Sequence, residues 1–190
     1  ENTWINLKDK NKLAASIWLP KSKDKKFPTI LEYIPYRKRD ATAIRDSLMH
    51  PYYAANGYAC IRVDMRGSGD SDGIMKDEYL PQETKDGIEI IDWITKQKWS
   101  DGKIGMTGVS WGGIVCLQMA ICQPKALKAI IPVHYSVDRY YDDAGYFLGC
   151  YPGQTVGWGA LMDGFNSRPP DPLISGKEWK NKWINRLNKT

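Results

Sequence analysis

Histidine is scarce in this chain, and long apolar runs are absent. The 190 residues include only His50 and His134, so the chain offers two candidates for a catalytic histidine. The sequence has no run of about 18 apolar residues, so we expect no transmembrane helix and no membrane partner. Its composition, 42% hydrophobic and 26% charged, is typical of a globular chain with one substantial core.

The four cysteines lack the spacing of a metal or redox site. Their positions in apolar patterns favour buried free thiols over bridges, and free thiols are typical of a reducing compartment. We therefore expect no metal and a cytoplasmic location, although a chain that begins with Glu1 is also compatible with processing or truncation at the N-terminus. The cysteines are Cys60, Cys116, Cys122 and Cys150.

The net charge of +5 comes from lysines and arginines scattered along the sequence. Two modest basic clusters occur, at residues 21–26 and 177–189. A nucleic-acid surface is usually denser in positive charge and interleaved with aromatic residues, so we interpret both clusters as solvated faces. We expect no nucleic-acid partner.

Alternating strand and helix patterns predict an α/β fold with a mostly parallel sheet and an antiparallel hairpin at its start. Pro51 fits the first turn of a short helix. The predicted strands cover residues 3–7, 13–19, 28–34, 57–64, 104–109 and 127–133. The predicted helices cover residues 51–56, 82–96 and 111–121, with a short basic helix at 177–189.

The composition of the sequence changes after Val133. Residues 135–159 are rich in Tyr, Gly and Trp, and residues 166–172 contain three prolines. No seventh or eighth strand is visible. The sequence therefore predicts a core at residues 1–134 and the beginning of a helical cap at 135–190, in a sheet truncated before its last strands. The aromatic residues of segment 135–158 fit an acyl pocket and the core of a cap equally well.

Ser110 lies where a nucleophile elbow is expected. It stands in Gly108-Val109-Ser110-Trp111-Gly112-Gly113, between an apolar strand pattern and a helical pattern. Glycines two positions on either side, Gly108 and Gly112, allow strand, turn and helix to approach closely. The helix N-terminus then favours the oxyanion of an acyl-transfer intermediate. This context predicts a serine nucleophile.

A serine nucleophile needs a base, usually a histidine oriented by a carboxylate that follows the serine in this fold. His50 precedes the serine, and we expect it to cap or pack. His134 comes directly after the sixth strand, and we interpret it as a polar residue at a strand end rather than the base. No carboxylate after Ser110 follows a recognisable strand, so we expect the acid and base beyond Thr190. The carboxylates in question are Asp138, Asp142, Asp143 and Asp163.

Three other chemistries are rejected. Gly67-Ser68-Gly69 follows a strand, but the next glycine, Gly73, comes one position too late for a dinucleotide-binding loop. Asp70 and Asp72 lack the twelve-residue pattern of a calcium loop. No glycine loop is followed by the Gly-Lys-Ser/Thr of a phosphate-binding loop, so we expect no cofactor.

Several strings together resemble the CocE/NonD hydrolases, a family of X-Pro dipeptidyl-peptidases, cocaine esterase and α-amino-acid ester hydrolases. The resemblance runs from about Trp4 to Leu187. In residues 166–172 it resembles the start of the family's helical cap. The strings are Ile34-Pro35-Tyr36-Arg37-Lys38-Arg39-Asp40, Val63-Asp64-Met65-Arg66-Gly67-Ser68-Gly69, Asp92-Trp93-Ile94, Trp99-Ser100-Asp101-Gly102-Lys103-Ile104-Gly105-Met106, and the elbow.

The resemblance implies an α/β-hydrolase fold and a serine hydrolase of small esters, amides or short peptides. It also implies two oxyanion donors, the hydroxyl of Tyr36 and the backbone N–H of Trp111. Family members continue with a catalytic Asp and His and a C-terminal β-sandwich, so we expect this chain to be an inactive fragment by itself. The alternative is a binding or scaffolding module with the same fold and no chemistry.

Overall fold

The computed structural model describes residues 1–22, 25–151 and 153–189, and it contains a six-stranded sheet in the order β1-β2-β4-β3-β5-β6. β1 and β2 form an antiparallel hairpin, and β2 is antiparallel to β4. The pairs β3–β4, β3–β5 and β5–β6 are parallel. The strands are β1 (Asn2–Asn6), β2 (Lys12–Trp18), β3 (Phe27–Ile34), β4 (Ala59–Asp64), β5 (Ser100–Val109) and β6 (Leu127–Val133).

In the part of the chain that the structure describes, six α-helices connect or follow the strands. The first three alternate with strands, as the sequence predicts, and the last three come after the final strand. They are α1 (Ala43–Ala55), α2 (Pro81–Thr95), α3 (Trp111–Ile121), α4 (Gln154–Asn166), α5 (Pro172–Ser175) and α6 (Trp179–Leu187), with a 3₁₀ turn at Gly176–Glu178. Among the described residues, no helix has both the length and the apolar composition needed to cross a bilayer.

Helices cover both faces of the sheet. On β3, the Glu32 carboxylate meets Arg45 of α1 at 2.6 Å, whereas the neighbouring Tyr33 packs with residues of α2 and α3. Adjacent strand residues point to opposite faces, so α1 lies on one face and α2 and α3 on the other. All six residues of β4 are therefore buried. The carboxyl ends of the parallel strands meet at one edge, where Ile34 pairs with Asp64 and Val109 with Val133.

The prediction for α1 was wrong. The helix begins at Ala43, so Pro51 lies inside it instead of in its first turn. The buried side chains are Asp46, His50 and Ala54, mostly polar, while the solvent-facing positions include apolar residues. Because the usual apolar stripe is inverted here, a search for apolar periodicity cannot locate the helix. Charged residues of the sheet lie beside the buried polar side chains, since Arg62 of β4 pairs with Asp46 at 3.4 Å and Glu32 of β3 lies 3.5 Å from His50 Nε2.

Three other predictions need correction. Cys60 and Cys116 are buried free thiols, as predicted, but Cys122 and Cys150 are exposed. β5 begins at Ser100, four residues earlier than predicted. α4 and α5 were missed, since α4 combines six aromatic and apolar side chains with three glycines, and its composition does not indicate a helix.

The two basic clusters behave differently. In the first cluster, Lys23 and Asp24 lie outside the described residues, and the described members are exposed. In the second, Arg186 is only 3% exposed, so the prediction of a solvated face was wrong for it. Its guanidinium donates to the carbonyl oxygens of Gly69 and Ser71 at 3.2 and 3.0 Å, and this anchors α6 to the loop after β4. Burial lowers the pKa of Arg186 to about 10.

Candidate active site

The chain turns from strand to helix within one residue at Ser110. This residue has φ 58° and ψ −115°, a conformation that L-residues rarely adopt, and it caps the N-terminus of α3. Its backbone N–H donates to the Val133 carbonyl at 2.9 Å, and its carbonyl accepts from Gly113 and Ile114. The side chain is exposed. The bend therefore presents the hydroxyl at the carboxyl edge of the sheet.

Close packing explains the two elbow glycines. A Cβ on Gly108 would lie 2.6 Å from the carbonyl carbon of Gly112 and 2.7 Å from its Cα. A Cβ on Gly112 would in turn meet the side chain of Ile34 at 2.5 Å. Real Cβ atoms do not approach other atoms so closely, so strand and helix could not meet at this angle with larger residues.

The phenol of Tyr36 lies at the same point as the elbow. The Trp111 backbone N–H donates to the Tyr36 hydroxyl at 3.3 Å, and the Ser110 side chain is also hydrogen-bonded to that hydroxyl. Burial raises the pKa of Tyr36, against the lowering effect of these two hydrogen bonds, so the phenol keeps its proton. One N–H donor, from Trp111, and one O–H donor, from Tyr36, thus converge with the Ser110 oxygen on a small volume.

Arg37 holds Tyr36 in this position. It follows Tyr36 with φ 48°, in the left-handed region. Its buried guanidinium binds the Asp40 carboxylate at 2.9 Å, and it also donates to three carbonyls at the end of α4 and in the following segment. Charge-assisted bonds of this kind stabilise a strained turn, and they also tie that turn to the C-terminal helices. The three carbonyls belong to Phe165, Arg168 and Pro169.

A tryptophan ring lies beside each of the two donors, and the indole N–H of each ring donates to a glutamate carboxyl group. Behind the Trp111 N–H, its own indole donates to Glu83 Oε2 at 3.0 Å. Beside Tyr36, the Trp158 ring makes an edge contact with centroids 6.1 Å apart, and the Trp158 indole donates to Glu78 Oε1 at 2.6 Å. These bonds fix both rings against the site.

A cavity of about 880 Å³ opens above Ser110. Its volume is within the range typical of small-molecule sites. Arg139 lies in its wall, where it stacks 4.3 Å from the centroid of the Tyr79 ring and pairs with Glu78 and Asp143. The aromatic side chains of the wall are Tyr79, Trp111, Tyr135, Tyr146, Tyr151 and Trp158.

The structure places the two histidines in different environments. His134 follows β6 with φ 49° and lines the same cavity as Ser110, but no hydrogen bond among residues 1–22, 25–151 and 153–189 joins them. His50 is fully buried and stacks on Trp18 at 4.6 Å, so of the two expected roles, capping and packing, it packs. Its Nε2 lies 3.5 Å from the Glu32 carboxylate, away from the site.

Within the described residues, no hydrogen bond or ion pair joins a carboxylate after Ser110 to His134. Asp138 accepts the backbone N–H groups of Tyr140 and Tyr141 and so stabilises a turn. Asp142 and Asp143 line the cavity, and Asp143 pairs with Arg139 at 2.7 Å. Asp163 is exposed on α4.

One cluster in the described chain has the donor set of a metal site. Ligand atoms of Glu32, Asp46 and His50 lie within 4.8 Å of one another. Two guanidinium groups already neutralise these carboxylates, since Arg45 meets both at 2.6 and 2.7 Å and Arg62 meets them at 3.7 and 3.4 Å. The group is therefore an ion network that joins α1 to the sheet, and a divalent cation would compete with buried positive charge.

The sequence did not reveal Glu78, Glu83 or Trp158 as parts of the site. The sequence does contain a local sign of Glu83. It is the third residue of α2, which begins at Pro81, and carboxylates at this position commonly cap helices. Trp158 belongs to the aromatic segment that the sequence left open between pocket and cap core. The structure places it in both, since it packs on the core and lines the cavity.

Sheet order, elbow and flanking helices define an α/β-hydrolase. The chain belongs to the X-Pro dipeptidyl-peptidase (S15 family), whose model matches residues 9–189. A cocaine esterase from Rhodococcus sp. is 33% identical over 168 residues, which cover 85% of this chain and 28% of that protein. A putative Xaa-Pro dipeptidyl-peptidase from Bacillus cereus is 30% identical over 168 residues, covering 70% of this chain and 28% of that protein.

A solved structure shows the same architecture over nearly the whole chain. A CocE/NonD family hydrolase from Staphylococcus aureus superimposes with a TM-score of 0.76 and 25% identity, covering 96% of this chain and 37% of that one. The chain spans between 15% and 28% of the length of the curated relatives it matches. These relatives are named as esterases and peptidases, and the family supports an enzyme of the serine hydrolase kind.

Proposed function

We propose that this protein hydrolyses esters or amides through an acyl-Ser110 intermediate, with the Tyr36 hydroxyl and the Trp111 N–H as oxyanion donors. The observation that carries the proposal is the convergence of these three groups at the carboxyl edge of the sheet. Ser110 stands at the N-terminus of α3, where the helix dipole favours negative charge. Family membership supports the same chemistry.

In the first step, the Ser110 oxygen bonds to the substrate carbonyl carbon and its proton passes to a base. The carbonyl π electrons move onto oxygen, which accepts hydrogen bonds from Tyr36 and Trp111. Collapse of this intermediate restores the carbonyl and breaks the bond to the alcohol or amine, which leaves with the proton. Water then repeats the sequence on the acyl-serine and releases the acid.

The Tyr36 phenol is well placed for this role. Its oxygen accepts from the Trp111 N–H, so its own proton remains available for the serine oxygen or a bound carbonyl. The bond from Trp111 is long at 3.3 Å and is weak enough to be exchanged for a shorter bond to the oxyanion. Because burial keeps the phenol protonated, the donor persists through the neutral pH range.

We propose that the base and its orienting carboxylate come from residues outside this chain. Two facts support this. His50 is buried beside Glu32 and Trp18, and His134 makes no hydrogen bond to Ser110 within the part of the chain that the structure describes. A base typically contributes about 100- to 10,000-fold in rate, so residues 1–190 alone should be close to inactive.

The proposed substrates are small esters, amides and short peptides. The cavity above Ser110 has the size for such molecules, and its aromatic wall offers apolar contacts to an acyl or leaving group. The names of the relatives cover both esters and X-Pro peptides. Arg139 is already paired with two carboxylates, so it does not by itself favour an anionic substrate.

Hydrolysis by the complete protein tests the proposal. A 4-nitrophenyl ester and an Xaa-Pro-4-nitroanilide report the two substrate classes. Ser110→Ala should lower kcat/KM by at least about 1000-fold on the preferred substrate. Ser47→Ala, in an exposed position on α1, should leave it unchanged. A Ser110→Ala variant as active as its parent would refute the mechanism, and no activity in the parent would favour a binding or scaffolding role.

A further inference from the structure

Glu83 lies directly behind the residue that supplies the backbone oxyanion donor. Its Oε2 accepts from the indole Nε1 of Trp111 at 3.0 Å. Both side chains are almost fully buried, Trp111 with 1% and Glu83 with 8% exposure. A carboxyl group and a large aromatic ring are thus locked together inside the protein, one residue away from Ser110.

Glu83 is anchored at the start of a packed helix. It occupies the first turn of α2, where its backbone N–H donates to the Leu80 carbonyl at 2.9 Å, and its carboxyl group approaches the backbone of Tyr79 and Leu80. α2 packs tightly on α3, since a Cβ on Gly87 would lie 2.7 Å from Met119 Sδ. The position of the acceptor is therefore set by the start of a packed helix, not by a flexible side chain on the surface.

The peptide between Ser110 and Trp111 needs such support. Ser110 has φ 58°, and a residue in this region keeps its conformation only when its surroundings over-determine it. The indole of Trp111 belongs to the same residue whose N–H faces Tyr36, and its burial fixes the side-chain rotamer. A restraint on the ring therefore restrains the orientation of that N–H.

We propose that Glu83 is a positioning residue for the oxyanion hole, which holds the Trp111 indole so that the Trp111 backbone N–H and the Tyr36 hydroxyl stay aimed at the same point. The proposal rests on the proposed function of Ser110 and goes beyond it. Glu83 touches neither substrate nor serine; it acts through Trp111.

Burial of this carboxyl group has a cost that a simple helix cap does not require. Burial raises the pKa of Glu83 to about 7, although the bonds from Trp111, Tyr79 and Leu80 oppose the rise. A capping glutamate on the surface would favour the start of the helix without that penalty. The additional feature of the buried position is the bond to the indole.

Steady-state kinetics of the complete protein on a 4-nitrophenyl ester tests the proposal. Glu83→Met removes the acceptor at similar length, Trp111→Phe removes the indole donor but keeps a ring, and Glu83→Gln keeps an acceptor. Because Glu83 acts on a transition-state donor, the first two should lower kcat about 10- to 100-fold with KM within about twofold of the parent. Glu83→Gln should retain kcat within about threefold.

A double variant distinguishes positioning from general packing. Glu83→Met combined with Trp111→Phe should lose no more than the larger single loss, because both remove the same bond. Asp92→Asn, an exposed carboxylate on the same helix, should match the parent. A folded Glu83→Met or Trp111→Phe variant with parental kcat overturns the proposal, as do losses that add. If Glu83→Met does not fold, Trp111→Phe alone decides the question.

Failure of this proposal and failure of the proposed function give different results. If Ser110→Ala is inactive while Trp111→Phe has parental kcat, only the role of Glu83 is wrong. If Ser110→Ala keeps full activity, the assignment of the nucleophile is wrong, whatever Glu83 does.

Discussion

The indole of Trp158 donates to Glu78 at 2.6 Å, and its ring meets the edge of Tyr36 with an interplanar angle of 82°. A residue from α4 thus contacts an expected oxyanion donor from the loop after β3, more than a hundred positions earlier in the chain. The C-terminal helices are therefore part of the architecture that fixes the site.

Trp158→Phe should weaken the packing that holds the Tyr36 ring without removing an oxyanion donor. The change eliminates the bond to Glu78 and weakens the aromatic contact, which is worth roughly 0.5–1.5 kcal/mol, so we expect kcat to fall about 2- to 10-fold. Trp183→Phe is the matched control, since its indole donates to the Ser167 carbonyl at 2.7 Å and does not line the cavity. Equal effects of the two substitutions on kcat would contradict this account.

Tyr36→Phe should have a much larger effect. It removes one of the two proposed oxyanion donors and preserves the ring that packs on Trp158, so we expect kcat to fall about 100- to 1000-fold with little change in KM. The measurement is steady-state hydrolysis of a 4-nitrophenyl ester by the complete protein. Tyr52→Phe, on the exposed face of α1, is the control. A decrease smaller than about threefold would exclude Tyr36 from the oxyanion hole.

Gly108→Ala should destabilise the fold. The new Cβ would lie 2.6 Å from the backbone of Gly112, and neither backbone can move without opening the elbow. We expect a loss of roughly 2–3 kcal/mol in the free energy of unfolding, measured by urea denaturation. Gly157→Ala on α4 is the matched control, because nothing lies within 4 Å of its Cβ and alanine favours helix by up to about 1 kcal/mol. An unchanged stability for Gly108→Ala would show that the elbow has room for a side chain.

Glu83 should make stability depend on pH near neutrality. Its pKa is raised to about 7 from an ordinary value near 4.5, so the folded state binds the proton more tightly than the unfolded state. The associated stability is present at acidic pH and is lost as pH rises through about 7. Glu83→Gln removes this dependence, so the variant should gain roughly 1–3 kcal/mol relative to its parent between about pH 5 and pH 8.

Urea denaturation at about pH 5 and pH 8 checks this expectation. It is measured for the parent, for Glu83→Gln and for the control Asp92→Asn. Comparing the variant with its parent cancels the titration of other groups to a first approximation. An identical difference in unfolding free energy at the two pH values would show that Glu83 does not titrate in this range. Glu78 and Tyr79 from the loop before α2 face the Glu83 carboxyl, and Glu83 in turn acts on Tyr33 of β3. The paired Arg66 and Asp86 line the same cavity as Glu83.

Local patterns explain which parts of the fold the sequence could predict. α3 and β6 match their predicted bounds because both segments are mostly apolar. α1 did not, because its buried positions Asp46 and His50 are polar and its exposed Ile44 and Leu48 are apolar. Such an inversion depends on buried Arg62 of the sheet and on half-buried Arg45 of the helix, and apolar periodicity contains no sign of these partners.

The sequence could likewise predict only part of the candidate site. Ser110 and its glycines form a contiguous motif, and their geometry follows from local sterics. Glu78 and Trp158 are eighty residues apart, and Glu83 and Trp111 are twenty-eight apart. Contacts over such separations depend on tertiary packing, which a single sequence does not specify. The catalytic roles of Ser110, Tyr36 and Trp111 remain predictions that the experiments above address.

Peptide mapping after reaction with a fluorophosphonate probe tests the central claim most directly. The account predicts one covalent adduct on the complete protein, on the peptide that contains Ser110, with stoichiometry that rises in step with the loss of hydrolysis. Adduct formation should be absent in Ser110→Ala and slowed in Tyr36→Phe. Loss of activity with the adduct on another residue, or full activity with Ser110 modified, would contradict it.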